Sequence, residues 1–146
     1  MTSSSRNPIL ITASRLLAPF IQLFALYVIF HGHFGPGGGF QGGAMLAASI
    51  LMLRLSVGAE RSELKFRKSW GTPVGALGAM IFAGTGLLTL LLGGRFLEYH
   101  YLPLPDLSRA ELHSAGILLI EVGVSLAVMA VLVAIYDDIM EGPGGD

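Results

Sequence analysis

The chain has 146 residues, a net charge of −1 and no cysteine, with 53% of its residues hydrophobic and only 13% charged. Soluble domains carry about a quarter charged residues, so this composition, with a mean hydropathy of +0.68, points to an integral membrane protein with no room for a soluble domain. The lack of cysteine excludes disulfides, thiol catalysis and Cys-ligated metals, and the near-neutral charge gives no footing for nucleic-acid binding.

The apolar runs in chain order are 8–30, 40–57, 73–92 and 114–136. A helix needs ~20 residues to cross the hydrocarbon core, so residues 1–146 read as one all-α membrane domain of four transmembrane helices. The first run is of full membrane length, contains Arg15 and Pro19 and lacks a small-residue cleavage site, so it reads as a span and not as a signal peptide. Asn7-Pro8 reads as an N-cap followed by Pro at the first helical position, and Thr72-Pro73 repeats the device before the third run. Ser108-Arg-Ala-Glu111 fits a capping box. Pro103 and Pro105 hold the segment before it extended, and Gly142-Pro143 ends the fourth helix. Arg6, Arg54, Arg61, Lys65, Arg67 and Lys68 fall on one side of the four-span arrangement, Arg95 and Arg109 on the other. The positive-inside rule then places both termini in the cytoplasm. Small residues recur four apart at Gly39, Gly43 and Ala47 and at Gly75, Ala79 and Ala83, with Gly78 and Gly86 beside the latter; such stripes let helices pack closely.

Few residues carry chemistry. Arg15 lies about four residues, ~6 Å, inward of the midpoint of the first run. Pro19 removes the hydrogen bond that the Arg15 carbonyl would accept. Arg15 is either an ion-path or interface charge or a side chain that snorkels to the headgroups. Glu121 lies about four residues outward of the midpoint of the fourth run, where a carboxyl serves as proton relay, cation ligand or interhelical glue. Arg15 and Glu121 are offset by ~12 Å in depth, a long reach even for Arg plus Glu, so at least one is expected to find its partner in another polypeptide or in a water cavity. His31 and His33 follow the first run. They are candidates for proton exchange, against the plainer reading of helix-end histidines bonded to terminal carbonyls. No third ligand accompanies them, and no metal site, nucleophile triad, phosphate loop, dinucleotide fingerprint or haem ligand pair is evident.

Between the first two runs lies His31-Gly-His-Phe-Gly-Pro-Gly-Gly-Gly-Phe-Gln-Gly-Gly43, too dense in Gly and Pro to continue a helix. Pro36, Gly37, Gly38, Gly39 and Phe40 fit a close joint with a neighbouring subunit, an anion or carbonyl site at a helix N-terminus, or a tight turn. Together with Arg15-Leu-Leu-Ala-Pro19 before it, the stretch from Phe30 to Gly43 resembles the B subunit of the multi-subunit Na+/H+ antiporter of the Mrp or Mnh type. Related subunits occur in membrane-bound hydrogenases of complex I kinship. The likeness covers roughly residues 8–135 and reaches Ile120-Glu121-Val-Gly123, where the family more usually has Asp. The 54–72 and 93–110 loops match poorly.

The resemblance implies a multi-pass accessory subunit, not an enzyme and without a cofactor, in the cytoplasmic membrane of a bacterium or archaeon. It would assemble with the other membrane subunits of an antiporter that exchanges Na+ for H+. The alternatives are a membrane-arm subunit of a redox-driven ion pump and a purely structural scaffold.

Overall fold

The computed structural model describes residues 7–32, 37–58, 66–104 and 106–141. Four helices long and apolar enough to cross a membrane account for most of them, and no strand occurs among the described residues. They are α1 (Pro8–His31), α2 (Gly39–Val57), α3 (Gly71–Leu91) and α4 (Arg109–Glu141). With 33 residues, α4 is ~50 Å long at 1.5 Å per residue, well beyond the ~30 Å of a hydrocarbon core.

The helix starts follow from local chemistry. The Asn7 side chain accepts a hydrogen bond from Ile9 N–H at 3.0 Å, and Pro8 follows at the first helical position. Ser108 and Glu111 close the expected box, with Ser108 N–H donating to Glu111 Oε2 at 2.8 Å and Glu111 N–H to Ser108 Oγ at 3.4 Å. The third helix departs from expectation. A 3-10 turn at Lys68–Trp70 runs directly into α3, so the helix begins at Gly71 and Thr72 is not its cap. Pro73 is still tolerated, because the first-turn N–H groups of a helix have no intrahelical acceptor. Gly142-Pro143, the expected stop of α4, lies outside the described residues.

The helices pack side by side in the order α1, α2, α4, α3. Glycines set each seam, since a bare Cα lets backbones approach in a medium that offers no hydrophobic drive between helices. A Cβ at Gly43 would come within 2.6 Å of the Ser125 carbonyl oxygen, and one at Gly39 would collide with the Glu121 carbonyl. These contacts advance in the same direction along both helices, so α2 and α4 are parallel neighbours. Gly42 faces α1, where a Cβ would come 3.0 Å from the Ala25 carbonyl oxygen and collide with Ile29. The α1–α2 seam also carries polar pairs: Ser14 and Ser56 hydroxyls lie 2.5 Å apart, and Gln22 Nε2 donates to Ser49 Oγ at 3.2 Å.

On α3 the working stripe is Gly71, Gly75 and Gly78, packed against Ala134, Ala130 and the Gly123–Ala127 turn of α4. Ala79 and Ala83, expected on that stripe, are exposed. Steps of four advance 400° and so drift 40° each, which carries 79 and 83 off the seam; the real stripe alternates steps of four and three. Gly86 receives the Phe96 ring. The α3–α4 connection is held by fully buried Thr89, whose hydroxyl donates to the Gly86 and Arg95 carbonyls and accepts from Leu97 N–H. Tyr99 packs over Gly116 and edge-on to His113, and burial pushes its phenol pKa up.

Gly78 and Gly84 provide a matched test of this packing. Gly78→Val forces a side chain into the α4 backbone, an overpacking cost of ~1–3 kcal/mol, whereas nothing lies within 4 Å of a Cβ at Gly84. The melting temperature of the detergent-solubilised complex, read by size-exclusion chromatography after heating, should fall for Gly78→Val and hold for Gly84→Val.

Candidate functional site at the α1–α2 break

Glu121 sits where α1 ends and α2 begins. A Cβ at Gly32, one residue past α1, would come within 2.5 Å of Glu121 Oε1, and one at Gly38 would lie 3.5 Å from the same oxygen. Gly38 has φ 134°, a left-handed conformation that favours glycine. Gly39 then opens α2 directly over the Glu121 backbone. Three glycines thus form a notch around one carboxyl group, and each is required for a separate reason: space at Gly32, backbone conformation at Gly38 and helix contact at Gly39.

The electrostatics of the notch are mixed. The first N–H groups of α2 carry the positive end of its dipole and favour a carboxylate. The last carbonyls of α1 carry the negative end of the other dipole and favour a proton or a cation. A carboxyl group placed between the two lies where both a negative charge and a bound cation meet a helix dipole of favourable sign. That combination suits exchange between H+ and a hard monovalent cation, which takes oxygen donors.

The other sequence candidates are distributed as follows. His31 closes α1, is exposed and stacks on Tyr27 with ring centroids 4.3 Å apart. Gly37 packs on Val28 of α1, and Phe40 is exposed at 66%. His33 and Pro36 lie outside the described residues. Pro19 is inside α1. Arg15 is exposed, and among the described residues it makes no ion pair.

Arg15 and Glu121 are not brought together. Ser14 meets Ser56, so Arg15 is level with the C-terminal end of α2, whereas Glu121 is level with Gly32, 17 positions further along α1. That separation is ~25 Å, about twice the offset expected from the sequence. The expected offset assumes that the two spans are centred on each other, but the α1–α2 pair is displaced along α4 toward the C-terminal end of that helix, with Gly39 on Glu121 and Gly43 on Ser125. Arg15 accordingly lies close to a helix end, where its side chain reaches the headgroups readily. Along the α3–α4 seam Gly78 faces the Gly123–Ala127 turn, which leaves Glu121 about nine residues, ~14 Å, short of the C-terminal end of α3. Glu121 therefore lies on the floor of a step between the two helix pairs.

One charged pair escaped sequence reasoning. Arg54 and Asp137 form a salt bridge, with their side chains only 1% and 7% exposed, and Arg54 Nη2 donates to the Phe66 carbonyl at 3.0 Å. From the sequence Arg54 counted only toward orientation. The missed signal was an arginine inside the apolar run Leu51-Met-Leu-Arg-Leu55, together with an acidic residue at the equivalent end of another span.

The chain matches the family model described as "Domain related to MnhB subunit of Na+/H+ antiporter" over residues 9–134. It is 35% identical over 137 residues to the B subunit of the Na(+)/H(+) antiporter of Bacillus subtilis, covering 91% of this chain and 92% of that one. To the corresponding B subunit of the Na(+)/H(+) antiporter of Alkalihalophilus pseudofirmus it is 34% identical over 132 residues, covering 86% and 91%. Among solved structures it resembles a chain of the membrane-bound sulfane sulfur reductase, an archaeal respiratory membrane complex, with a TM-score of 0.70 and 31% identity. The match covers 94% of this chain and 60% of that chain's length. With the family model and two relatives above 30% identity agreeing over nearly the whole chain, the protein belongs to the MnhB family of Na+/H+ antiporter subunits.

Proposed function

We propose that this chain is an accessory membrane subunit of a hetero-oligomeric Na+/H+ antiporter, lodged in the cytoplasmic membrane with both termini inside. In this reading Glu121 exchanges Na+ and H+ at the floor of the step beside α2. The observation that carries the reading is the glycine notch around Glu121 in a chain related over nearly its full length to antiporter B subunits. A functional carboxyl group in a membrane needs polar surroundings, and two converging helix ends supply them.

The described part of the chain is a row of four helices with α1 and α3 at its open edges. Exposed Phe20, Phe24 and Tyr27 line the outer face of α1. Neighbouring membrane subunits would cover such faces, and Phe40 would take part in that contact.

The likeness to a chain of an archaeal respiratory complex supports a second reading, in which the same membrane subunit serves a redox-driven ion pump. Purification under native conditions separates the two. Antiporter subunits alone co-elute in the first case, and iron–sulfur subunits co-elute in the second.

Glu121→Gln removes the charge and keeps the shape. In everted vesicles with a fully assembled complex, Na+-dependent proton exchange should fall by at least about tenfold, equivalent to ~1.4 kcal/mol. Undiminished exchange would leave the chain a scaffold. Gly38→Val strains a left-handed position beside the carboxyl group. It should reduce the assembled complex on blue-native gels while insertion of this chain into the membrane persists, because the spans remain apolar enough to enter.

A further inference from the structure

We propose that the buried Arg54–Asp137 ion pair is a positioning element that fixes the register of α2 on α4 and thereby holds the glycine notch on Glu121 at the far end of the same seam. The consequence for transport rests on the role proposed for Glu121, whereas the register claim stands on packing alone.

The pair is enclosed within this chain, since both side chains are more than nine-tenths buried without any neighbouring subunit. Arg54 reaches two elements at once, with Nη1 toward Asp137 on α4 and Nη2 on the Phe66 carbonyl. Phe66 belongs to the connection before α3. It is itself buried, clusters with Ala47 and Val133, and meets Trp70 edge-on with centroids 6.4 Å apart. One guanidinium therefore joins α2, α4 and the segment leading into α3.

The glycine end of the α2–α4 seam specifies register poorly, whereas Ile50, Leu51, Met129 and Val133 pack around Ala47 nearer the ion pair. Gly39, Gly43 and Ala47 present a smooth face, and Gly39 and Gly43 lie on the backbone at Glu121 and Ser125. In lipid such surfaces adhere through close packing and not through hydrophobic drive. A slip of one turn in one direction would put Ala47, whose methyl lacks room, on Ser125, but in the other direction it would set Gly39 on Ser125, glycine on backbone again. Breaking a buried ion pair, in contrast, leaves an uncompensated charge, and single buried polar contacts are known to select register between helices.

The lever arms match. From the pair to the notch is 15 positions along α2 (Arg54 to Gly39) and 16 along α4 (Asp137 to Glu121), ~22 and ~24 Å. A one-turn slip of ~5.4 Å would carry Gly38 and Gly39 off Glu121.

The test uses the assembled complex with spin labels introduced bioorthogonally at Gln41 and Ile139. Both are exposed, one near the outer end of α2 and the other near the inner end of α4. Pulsed electron–electron resonance then reads the axial offset of the two helices. Arg54→Met/Asp137→Leu replaces the pair with apolar side chains, which relieves the buried charge. It should broaden or shift the distance by up to one turn, ~5 Å, and Na+/H+ exchange should fall with it. The reversed pair, Arg54→Asp/Asp137→Arg, should restore the single narrow distance and recover exchange. Arg54→Lys keeps the charge and should keep the distance even if the reversed pair does not assemble. A wild-type distance in the apolar double variant overturns the proposal, as does a shifted distance in Arg54→Lys. If the distance shifts as expected while exchange is unchanged, the register claim holds and the role of Glu121 fails.

Discussion

The close approach of α2 to α4 organises everything else. Gly39 and Gly43 rest on the backbone of Glu121 and Ser125, and no larger residue fits there. This contact makes α2 and α4 parallel neighbours although they are not consecutive in the chain. It places α2 between α1 and α4, pushes α3 to the far side of α4, and lowers the α1–α2 break onto a carboxyl group. In water such a seam would be reinforced by apolar burial. In lipid the adhesion comes from atoms in close contact, so the glycines themselves are the source of stability.

The polar groups follow the same geometry. Glu121 marks one end of α2, and the Arg54–Asp137 pair marks the other. The α1–α2 seam carries neutral hydrogen-bonding pairs, Ser14 with Ser56 and Gln22 with Ser49. Ionisable groups are expensive in hydrocarbon and persist where they face partners or water. The structure satisfies this in two ways: an internal ion pair closed off by the chain itself, and a notch where two helix ends supply dipoles of opposite sign.

Local signals were legible and long-range ones were not. The four spans, the Asn7 cap and the Ser108–Glu111 box can be read from the sequence because each depends on a few adjacent residues. The resemblance to antiporter B subunits was likewise carried by a contiguous stretch, Phe30 to Gly43. The depths of Arg15 and Glu121 could not be read, because they depend on how far one helix pair slides along another. That slide is expressed in contacts between residues some 80 positions apart, Gly39 on Glu121, Gly43 on Ser125 and Arg54 on Asp137. The same reason hid the Arg54–Asp137 pair. The stripe on α3 failed differently: a four-residue repeat drifts around a 3.6-residue helix, so Ala79 and Ala83 leave the seam that Gly71, Gly75 and Gly78 share.

The central claim is that Glu121 exchanges a proton for a sodium ion inside the glycine notch. Infrared difference spectroscopy of the reconstituted complex, recorded between Na+-free and Na+-saturated buffer at constant pH, tests it most directly. The account predicts a Na+-dependent change in a carboxyl band that disappears in Glu121→Gln. Identical difference spectra for the two proteins would contradict it.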